Sequence, residues 1–387
     1  MSAGVDGGRG GRGGSVRHLY VHLPFCAHRC GYCDFVTLVG RGADHGRYVD
    51  ALLAELELER AALAPRLETI FLGGGTPTLT SASELARLLA ALPAAGEVTV
   101  EANPETVTPE LALLLREHGV TRVSVGAQSF RPHLLAVLER RASPAAVRAA
   151  VYALRDVGFD NISLDLLYGI PGQSAADLER DLSDALALEP EHLSCYELEA
   201  KPGTRFTHTF GNELARQAEV MEDYFERVVD RVTGAGYRWY ETANFCVDPE
   251  HAEGRDLRAR HNLAYWRGRD YLGIGIGAVS TVRGRRWRTT PRLGVYLAAL
   301  GRGEAPPREL EPLPPSVQRR ERVLLGLRLD EPLALGGLES AVDRAALGRL
   351  EELGLAARTR GGAAGESVAL TTRGRFLGGG VTAELLA

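Results

Sequence analysis

Lysine is almost absent from this sequence of 387 residues, because Lys201 is the only one and arginine supplies the other basic side chains. The arginines are scattered among acidic residues, the formal net charge is −5, and no sustained basic run marks a nucleic-acid surface. Apolar runs are short as well, and none reaches the roughly 18 residues that a membrane-spanning helix needs. These absences predict a protein with no nucleic-acid partner and no transmembrane segment.

Cysteine is also scarce, and its count of five is odd. An odd number with three members clustered fits a reducing compartment and argues against a disulfide framework. Residues 1–16 are rich in glycine, contain two arginines and lack an apolar stretch, which is not the composition of a secretory signal. We therefore expect a disordered tail over residues 1–16 and a cytoplasmic protein.

Three of the cysteines, Cys26, Cys30 and Cys33, form the pattern Cys-x3-Cys-x2-Cys directly after the apolar residues 19–25. A four-iron cluster held by three thiolates leaves one iron open to a small molecule, so the pattern favours iron–sulfur chemistry. Zinc is the first alternative, but structural zinc takes four ligands and no second Cys-x2-Cys follows, so a histidine would have to complete the set. Three unligated thiols are the second alternative.

Residues 17–236 alternate short β-branched runs with longer helical stretches, which is typical of repeated β/α units around a parallel sheet. Strands are predicted at residues 17–23, 68–72, 97–101, 122–126, 161–166 and 192–197. Helices are predicted at residues 44–63, 81–92, 108–117, 144–157 and 174–188, with Ser81 and Thr108 as N-caps and Glu84 completing a capping box. Six such strands make a partial (β/α)6 barrel, so the expected fold class is α/β.

Glycine or polar residues follow or end the first five predicted strands, where the chemistry of parallel β/α folds gathers. The cysteines follow the first strand and glycines 73–75 the second; Glu101 and Asn103, Gln128 and Asp165 mark the next three. The glycines allow the backbone to approach a ligand closely, which suits the ammonium and carboxylate of an amino acid. The alternative is that strand ends are polar only because they emerge into solvent.

Beyond residue 236 the pattern changes, and three further units are predicted. Residues 237–304 form a C-terminal α+β extension, the proline-rich residues 305–315 a linker, and residues 316–387 a small winged-helix-like module with helices at 319–327 and 345–353. The module has no basic recognition stripe, so we expect a protein contact or a lid rather than DNA binding.

Four segments of the chain resemble the radical S-adenosylmethionine superfamily: residues 20–35, 73–77, 101–104 and 164–172. More narrowly, they are similar to the group that contains oxygen-independent coproporphyrinogen III oxidases and heme chaperones. The resemblance implies the partial barrel of that superfamily, a [4Fe-4S] cluster on Cys26, Cys30 and Cys33, and S-adenosylmethionine at the open iron. It also implies an S-adenosylmethionine site lined by Tyr20, Tyr32, Gly74, Gly75, Thr76, Glu101, Gln128, Arg140 and Asp165.

Two features favour a heme chaperone over a decarboxylating oxidase. The oxidases resemble a Cys-x3-Cys-x2-Cys-x-Cys pattern, whereas Phe35 stands here at the position of the fourth cysteine. Residues 261–266 (HNLAYW) are similar to the HNxxYW motif associated with heme binding, which implies that heme is contacted by His261, Asn262, Tyr265 and Trp266. Imidazole can ligate iron and aromatic rings can pack on a porphyrin, but the same residue types also cap turns and fill cores.

The sequence departs from the family at two histidines. Residues 140–143 are RRAS where relatives carry Arg-x-His-Ser, and residues 277–280 are GAVS where they tend toward Gly-Ala-His-Ser. Both losses weaken the assignment of a second porphyrin ligand. The resemblance implies heme, heme-accepting proteins with respiratory proteins as candidates, and an electron donor such as flavodoxin or ferredoxin as partners. Oxygen-independent coproporphyrinogen III oxidation stays the alternative, so the sequence leaves open whether the chain is an enzyme.

Overall fold

The computed structural model describes residues 15–199, 201, 205–359 and 365–387. Most of the predicted tail, residues 1–16, lies outside the described residues. Its last residue, Val16, is fully buried and forms a β-bridge with Leu63, so the ordered chain already includes it. No helix of the described residues is both long and apolar enough to span a membrane.

Seventeen strands and fourteen α-helices are formed by the described residues. The strands are β1 (His18–Leu23), β2 (Phe25–Cys26), β3 (Leu38–Val39), β4 (Leu67–Gly74), β5 (Ala95–Ala102), β6 (Arg122–Gln128), β7 (Ile162–Tyr168), β8 (His192–Glu197), β9 (Tyr237–Trp239), β10 (Asn244–Val247), β11 (Leu272–Ile274), β12 (Val279–Val282), β13 (Arg285–Thr289), β14 (Arg308–Pro312), β15 (Leu333–Ala334), β16 (Ala356–Thr359) and β17 (Ser367–Leu370). The helices are α1 (His45–Glu59), α2 (Ala82–Ala91), α3 (Pro109–Glu117), α4 (Pro132–Val137), α5 (Pro144–Asp156), α6 (Ala175–Leu186), α7 (Arg205–Ala218), α8 (Met221–Thr233), α9 (Arg260–Trp266), α10 (Leu293–Leu300), α11 (Pro315–Gly326), α12 (Arg344–Glu352), α13 (Thr372–Phe376) and α14 (Gly378–Leu385).

A nine-stranded sheet lies at the centre of the molecule, in the order β11-β1-β4-β5-β6-β7-β8-β10-β9. Its six middle strands are the six predicted ones, they follow chain order, and each pairs in parallel with the next. The sheet does not close on itself, which confirms the predicted partial barrel. Strand β11 extends it in parallel beside β1, while β10 and β9 continue the other edge in antiparallel fashion.

The middle strands are largely buried along their length. Strand β6 is buried along six of its seven residues, as expected for a parallel strand covered on both faces. Thr108 caps α3 as predicted, since its side chain accepts a hydrogen bond from the backbone N–H of Leu111. Ser81 is the N-cap residue of α2 as predicted, but the predicted capping box is wrong, because the Ser81 side chain makes no cap hydrogen bond and Glu84 pairs with Arg87 instead.

The C-terminal part contains two smaller sheets. In the extension, β12, β13 and β14 form an antiparallel sheet. The stretch predicted as a linker, residues 305–315, therefore contributes an edge strand, because Arg308–Pro312 pairs with β13 along its whole length. In the module, β15, β17 and β16 form a second antiparallel sheet, with its own apolar core around Val323, Leu347 and Val368.

Candidate functional site at the carboxyl ends of the strands

A cavity of about 420 Å³ opens at the carboxyl ends of the parallel strands. We call it the strand-end cavity. Its walls include all three clustered cysteines and eight of the nine residues predicted for S-adenosylmethionine, which are Tyr32, Gly74, Gly75, Thr76, Glu101, Gln128, Arg140 and Asp165. The polar strand ends thus converge on one space, as the parallel topology requires.

The loop that carries the cysteines is fixed at both ends. It passes through β2 and returns at β3, and these two short strands pair with each other in parallel. Nε2 of His22 lies 2.9 Å from the carbonyl oxygen of Val36, so the imidazole ties the returning loop to strand β1. Burial lowers the pKa of His22 to about 4, and the ring is therefore a neutral hydrogen-bond donor near pH 7.

Two of the thiols are half-buried and hold their protons tightly. Burial raises the pKa of Cys26 to about 11 and also raises that of Cys33. Since a thiolate is the metal-binding form, any metal has to displace these protons. Within the described residues, no three histidine, cysteine or carboxylate side chains are arranged to hold a single metal ion.

A chain of polar contacts joins the cysteine loop to three strand ends. The hydroxyl of Thr76 lies 3.7 Å from Sγ of Cys26 and accepts a hydrogen bond from the side-chain amide of Asn103 at 3.1 Å. Arg140 donates to the other end of that amide at 2.9 Å and to Sγ of Cys30 at 3.9 Å. The guanidinium group therefore places a positive charge against Sγ of Cys30, and the same charge opposes the burial that raises the pKa of Cys26.

The glycines at the end of β4 are required by close packing. Gly74 has a φ of +111°, and a Cβ atom there would lie 2.4 Å from the ring of His22. A Cβ atom on Gly75 would lie 2.6 Å from the backbone of Pro24. Any larger residue would push β4 away from the cysteine loop, so these glycines set the distance between the loop and the strand ends.

Two carboxyl groups lie deep in the wall of the strand-end cavity. The pKa of Glu101 is raised to about 7, chiefly by burial and also by the nearby Asp165. A hydrogen bond from the backbone N–H of Gly74 at 3.0 Å opposes both effects. Burial also raises the pKa of Asp165, whose oxygens accept hydrogen bonds of 3.0 and 3.1 Å from Ser124. Such a pair can accept hydrogen bonds from an ammonium or a hydroxyl group of a ligand.

Gln128 has a backbone conformation that is rare for a residue with a side chain. Its φ is +65°, and it follows an irregularity in the pairing of β6 with β7. Left-handed non-glycine residues concentrate at ligand sites because the surrounding structure must hold them there. Gln128 lines the cavity, as does Tyr32, whose ring packs edge-on against Phe206 at 6.3 Å.

Tyr20 is the one predicted S-adenosylmethionine residue that does not line the strand-end cavity. Its hydroxyl lies 3.0 Å from Nδ1 of His22, and its ring stacks on Phe71 at 6.2 Å. Phe71 lines the cavity and separates Tyr20 from it. Tyr20 instead faces a smaller space of about 300 Å³, which we call the middle cavity.

The four residues of the HNxxYW segment are not brought together. Asn262 lines the strand-end cavity, while Tyr265 and Trp266 line a third space of about 650 Å³ on the other side of α9. His261 is buried, and both of its ring nitrogens are hydrogen-bonded, Nδ1 with the Thr69 hydroxyl at 2.7 Å and Nε2 with the Tyr265 hydroxyl at 2.9 Å. In this arrangement neither nitrogen is available to an iron.

Asn103, which the sequence placed at the end of the third strand without assigning it to S-adenosylmethionine, lines the strand-end cavity. Other polar residues line it that the sequence did not single out, among them Arg122, Ser124, Ser194 and Tyr196. Arg122 gave no signal in the sequence, since a lone arginine at the start of a strand usually faces solvent. Here it is 2% exposed, and its Nε atom has no hydrogen-bond partner among the described residues.

Comparison with known proteins identifies the group to which this architecture belongs. Residues 20–185 match the family model described as the radical SAM superfamily. A heme chaperone HemW from Mycobacterium tuberculosis is 37% identical over 380 residues, which cover 95% of this chain and 94% of the relative. The chain belongs to the HemW/HemN-like group of the radical SAM superfamily.

Other members of the group give the same result. The heme chaperone HemW of Escherichia coli is 38% identical over 285 residues, which cover 70% of this chain and 72% of the relative. The solved structure of coproporphyrinogen III oxidase (HemN) from Escherichia coli superposes with a TM-score of 0.78 over 96% of this chain and 90% of that one. At 22% identity, this likeness shows that the two proteins share a fold.

Proposed function

We propose that the chain is a heme chaperone, which carries a [4Fe-4S] cluster and S-adenosylmethionine in the strand-end cavity and passes heme to acceptor proteins. The observation that carries the proposal is the similarity to chaperones named HemW, which extends over 95% of the chain and includes the C-terminal module. Heme-accepting proteins, respiratory proteins among them, are the proposed recipients, and a flavodoxin or ferredoxin is the proposed electron donor.

The residues of the strand-end cavity fit the two proposed cofactors. Cys26, Cys30 and Cys33 would hold the cluster, because all three line one cavity and Arg140 compensates the negative charge that thiolates bring. Nε of Arg140 is buried and has no hydrogen-bond partner among the described residues, which supports an additional acceptor in the cavity. When bound, the cluster would supply the electron that cleaves the sulfonium bond of S-adenosylmethionine.

The surrounding residues would orient S-adenosylmethionine. Gly74 and Gly75 leave backbone exposed to the cavity, and Glu101 lies beside them with a carboxyl group suited to an ammonium or ribose hydroxyl. Asp165, oriented by Ser124, offers a second acceptor on the far wall. The cofactor carries the difficult chemistry, and these groups supply position and a partly dry environment.

Phe35 supports the chaperone over the oxidase. It occupies the position of the fourth cysteine in the oxidase pattern, lines the strand-end cavity and is 61% exposed. Anaerobic incubation of the reconstituted protein with coproporphyrinogen III, the reductant and S-adenosylmethionine tests this assignment. We expect no protoporphyrinogen; its formation would overturn the chaperone proposal and establish the oxidase.

Heme titration of the anaerobically purified protein tests the chaperone proposal directly. We expect a saturable heme absorption band, near-stoichiometric iron and sulfide beyond the heme iron, and transfer of heme to an apo-acceptor. Preparations with and without the cluster show whether the two groups influence each other. A protein that binds no heme in either state would refute the proposal, and zinc in place of iron and sulfide would refute the cluster.

A further inference from the structure

The cavity of about 650 Å³ beyond helix α9 lies between the extension and helix α11, and we call it the interface cavity. Its volume is within the range of about 300–1,000 Å³ that small-molecule and cofactor sites occupy. The extension contributes Trp266, Arg269 and Tyr271, and α11 contributes Arg319 and Arg322. It shares no lining residue with the strand-end cavity.

Positive charge exceeds negative charge around the interface cavity, because four arginines line it against the two carboxylates Asp270 and Glu321. Arg286 is neutralised by two hydrogen bonds of 2.9 and 2.7 Å to Glu321. Arg269, Arg319 and Arg322 form no ion pair within the described part of the chain, and Arg269 is exposed to solvent whereas Arg319 and Arg322 are partly buried. The two partly buried guanidinium groups are therefore the ones that an anion from outside would stabilise.

Arg322 is held in place from two sides, and it also lines a neighbouring space of about 210 Å³ together with Arg269 and Glu331. Its guanidinium group donates to the carbonyl oxygen of Trp266 at 3.3 Å, and its side chain packs between two glycines. A Cβ atom on Gly326 would lie 2.5 Å from Nη1, and one on Gly268 would lie 3.2 Å from Cδ. Burial lowers the pKa of Arg322, and the positive charges of Arg269 and Arg267 lower it further, as expected where cations are crowded.

Aromatic side chains form another part of the same cavity. The rings of Tyr265 and Tyr271 meet edge to face at 4.6 Å, and Trp266 lies next to them with Arg328 stacked over its ring at 4.5 Å. The indole nitrogen of Trp266 is buried and finds no acceptor among the described residues. Flat aromatic surfaces beside unpaired arginines suit a planar ligand that carries acidic groups.

We propose that the interface cavity binds a flat aromatic ligand with carboxylate substituents, and that Arg319 and Arg322 of helix α11 anchor its carboxylates. The inference deepens the proposed function and rests on it, because heme, with its planar ring and two propionates, is the member of this class that a heme chaperone would carry. Arg269, at the rim, adds charge that favours the same orientation.

The lining residues also predict how the ligand is held. No histidine, cysteine or methionine is found among the described residues that line the interface cavity, and of its two tyrosines Tyr265 already has its hydroxyl hydrogen-bonded to His261. Ring contacts and carboxylate–arginine pairs therefore supply the affinity, and the metal contributes little. His261 acts as a positioning residue, because its hydrogen bond fixes the Tyr265 hydroxyl one layer behind the wall.

Porphyrin titrations with a paired variant test the proposal. The double variant Arg319→Gln/Arg322→Gln should bind iron protoporphyrin IX about 10- to 100-fold more weakly, the loss expected when charge-assisted hydrogen bonds are removed. The matched control is Arg344→Gln/Arg349→Gln, which removes two exposed arginines of α12 in the same module and should bind as the wild type does. Circular dichroism and cluster content verify that both variants fold.

Two further ligands show which part of the porphyrin is recognised. Metal-free protoporphyrin IX, followed by fluorescence, should bind the wild type within a few-fold of the iron form, and the dimethyl ester should bind it as weakly as the acid binds the double variant. If the wild type binds iron protoporphyrin but the double variant binds equally well, the inference is overturned while the chaperone function stands. Equal binding of the ester, or binding that requires iron, also overturns it, whereas a wild type that binds no porphyrin refutes the proposed function itself.

Discussion

The strand-end cavity and the interface cavity differ in how their charged groups are satisfied. In the first, Arg140 has hydrogen-bond acceptors in the protein and Glu101 and Asp165 have donors. In the second, Arg319 and Arg322 lack carboxylate partners within the described residues. The first site leaves only single donor atoms such as Nε of Arg140 and Nε of Arg122 unpaired among the described residues, while the second carries an excess of positive charge, which indicates an anionic ligand.

The two sites are close neighbours in space. The middle cavity shares Phe35 with the strand-end cavity, and Tyr265 and Tyr271 with the interface cavity. Its remaining wall includes Tyr20 and Arg288. The two sites are thus linked through the middle cavity, which shares wall residues with both, and the comparison between them can be tested by perturbing each in turn.

The largest expected effect comes from the thiols. Replacing Cys30 by serine should remove nearly all iron and sulfide from anaerobically purified protein, because two thiolates cannot retain a four-iron cluster. Iron and sulfide analysis and the visible absorption spectrum measure the loss. The control is Cys246→Ala, which removes a buried thiol of β10 and should keep full cluster content. A serine variant with normal iron would show that the cluster lies elsewhere.

Substitution of Arg140 should have the second-largest effect. Arg140→Gln removes the cation beside Cys30 and breaks the polar chain through Asn103, so cluster retention or S-adenosylmethionine affinity should fall about 10- to 100-fold, as for other residues that support metal ligands. Equilibrium dialysis with S-adenosylmethionine and iron analysis report the two losses separately. The neighbouring exposed Arg141, changed in the same way, should have no effect, and equal effects of both changes would contradict the assigned role.

Substitution of His261 distinguishes two roles for this residue of the HNxxYW segment, a ligand of heme iron and a residue that positions Tyr265. His261→Phe leaves the hydroxyls of Thr69 and Tyr265 without their partner, which should lower the free energy of unfolding by about 2–4 kcal/mol. The phenylalanine variant should bind iron porphyrin and metal-free porphyrin more weakly than the wild type, by the same few-fold factor. His261→Gln should recover part of both losses of affinity. If the phenylalanine variant loses iron porphyrin binding alone, His261 is an iron ligand and the positioning role is wrong.

The smallest expected effect concerns the attachment of the extension to the core. Glu55 of α1 accepts hydrogen bonds from the Gly275 backbone at 2.8 Å and the Tyr296 hydroxyl at 2.7 Å, and burial raises its pKa to about 7. Because the folded-state pKa exceeds the ordinary value of 4.5, the protonated group stabilises the fold at low pH, and this stability is lost as the pH rises through about 7.

The variant Glu55→Gln isolates this contribution. Between pH 5 and pH 8 the free energy of unfolding of the wild type should fall by up to roughly 3 kcal/mol because Glu55 ionises. The glutamine variant should lack this part of the pH dependence. Urea unfolding at several pH values measures the difference, with cluster content as the control. If the free energy of unfolding depends on pH in the same way in the variant and in the wild type, Glu55 is already ionised in the folded protein.

Local pattern was enough to predict the sheet and most of the strand-end cavity. Glycine or polar residues end or follow the first five of the six middle strands, and parallel topology alone brings such ends together. Tyr20 was misplaced because its environment depends on Phe71 of the adjacent strand, which the spacing within β1 does not reveal. The proline-rich residues 305–315 were misjudged because β14 is stabilised by pairing with a distant strand.

The HNxxYW segment shows what helical geometry could have added. His261 and Tyr265 are four residues apart and so share one face of α9, and the same spacing places Asn262 and Trp266 together on a face about 100° further round. Helical spacing alone does not reveal that Asn262 and Trp266 line different cavities, because the neighbouring elements decide which space each side chain meets. The arginines of the interface cavity could not be anticipated, because their lack of partners is a property of the folded neighbourhood and not of the sequence around them.

The pairing of β11 with β1 links the earliest and the late parts of the chain. Strand β1 leads directly into the cysteine loop, and Leu19–Val21 finds its outer neighbour only in Leu272–Ile274. A fragment ending near residue 236 would leave this strand as an open edge, prone to pair with other molecules. During synthesis the three clustered cysteines emerge first, but strand β1, which leads into their loop, gains its second neighbour only after residue 274 has left the ribosome. If metal is loaded only onto the finished sheet, loading selects complete chains.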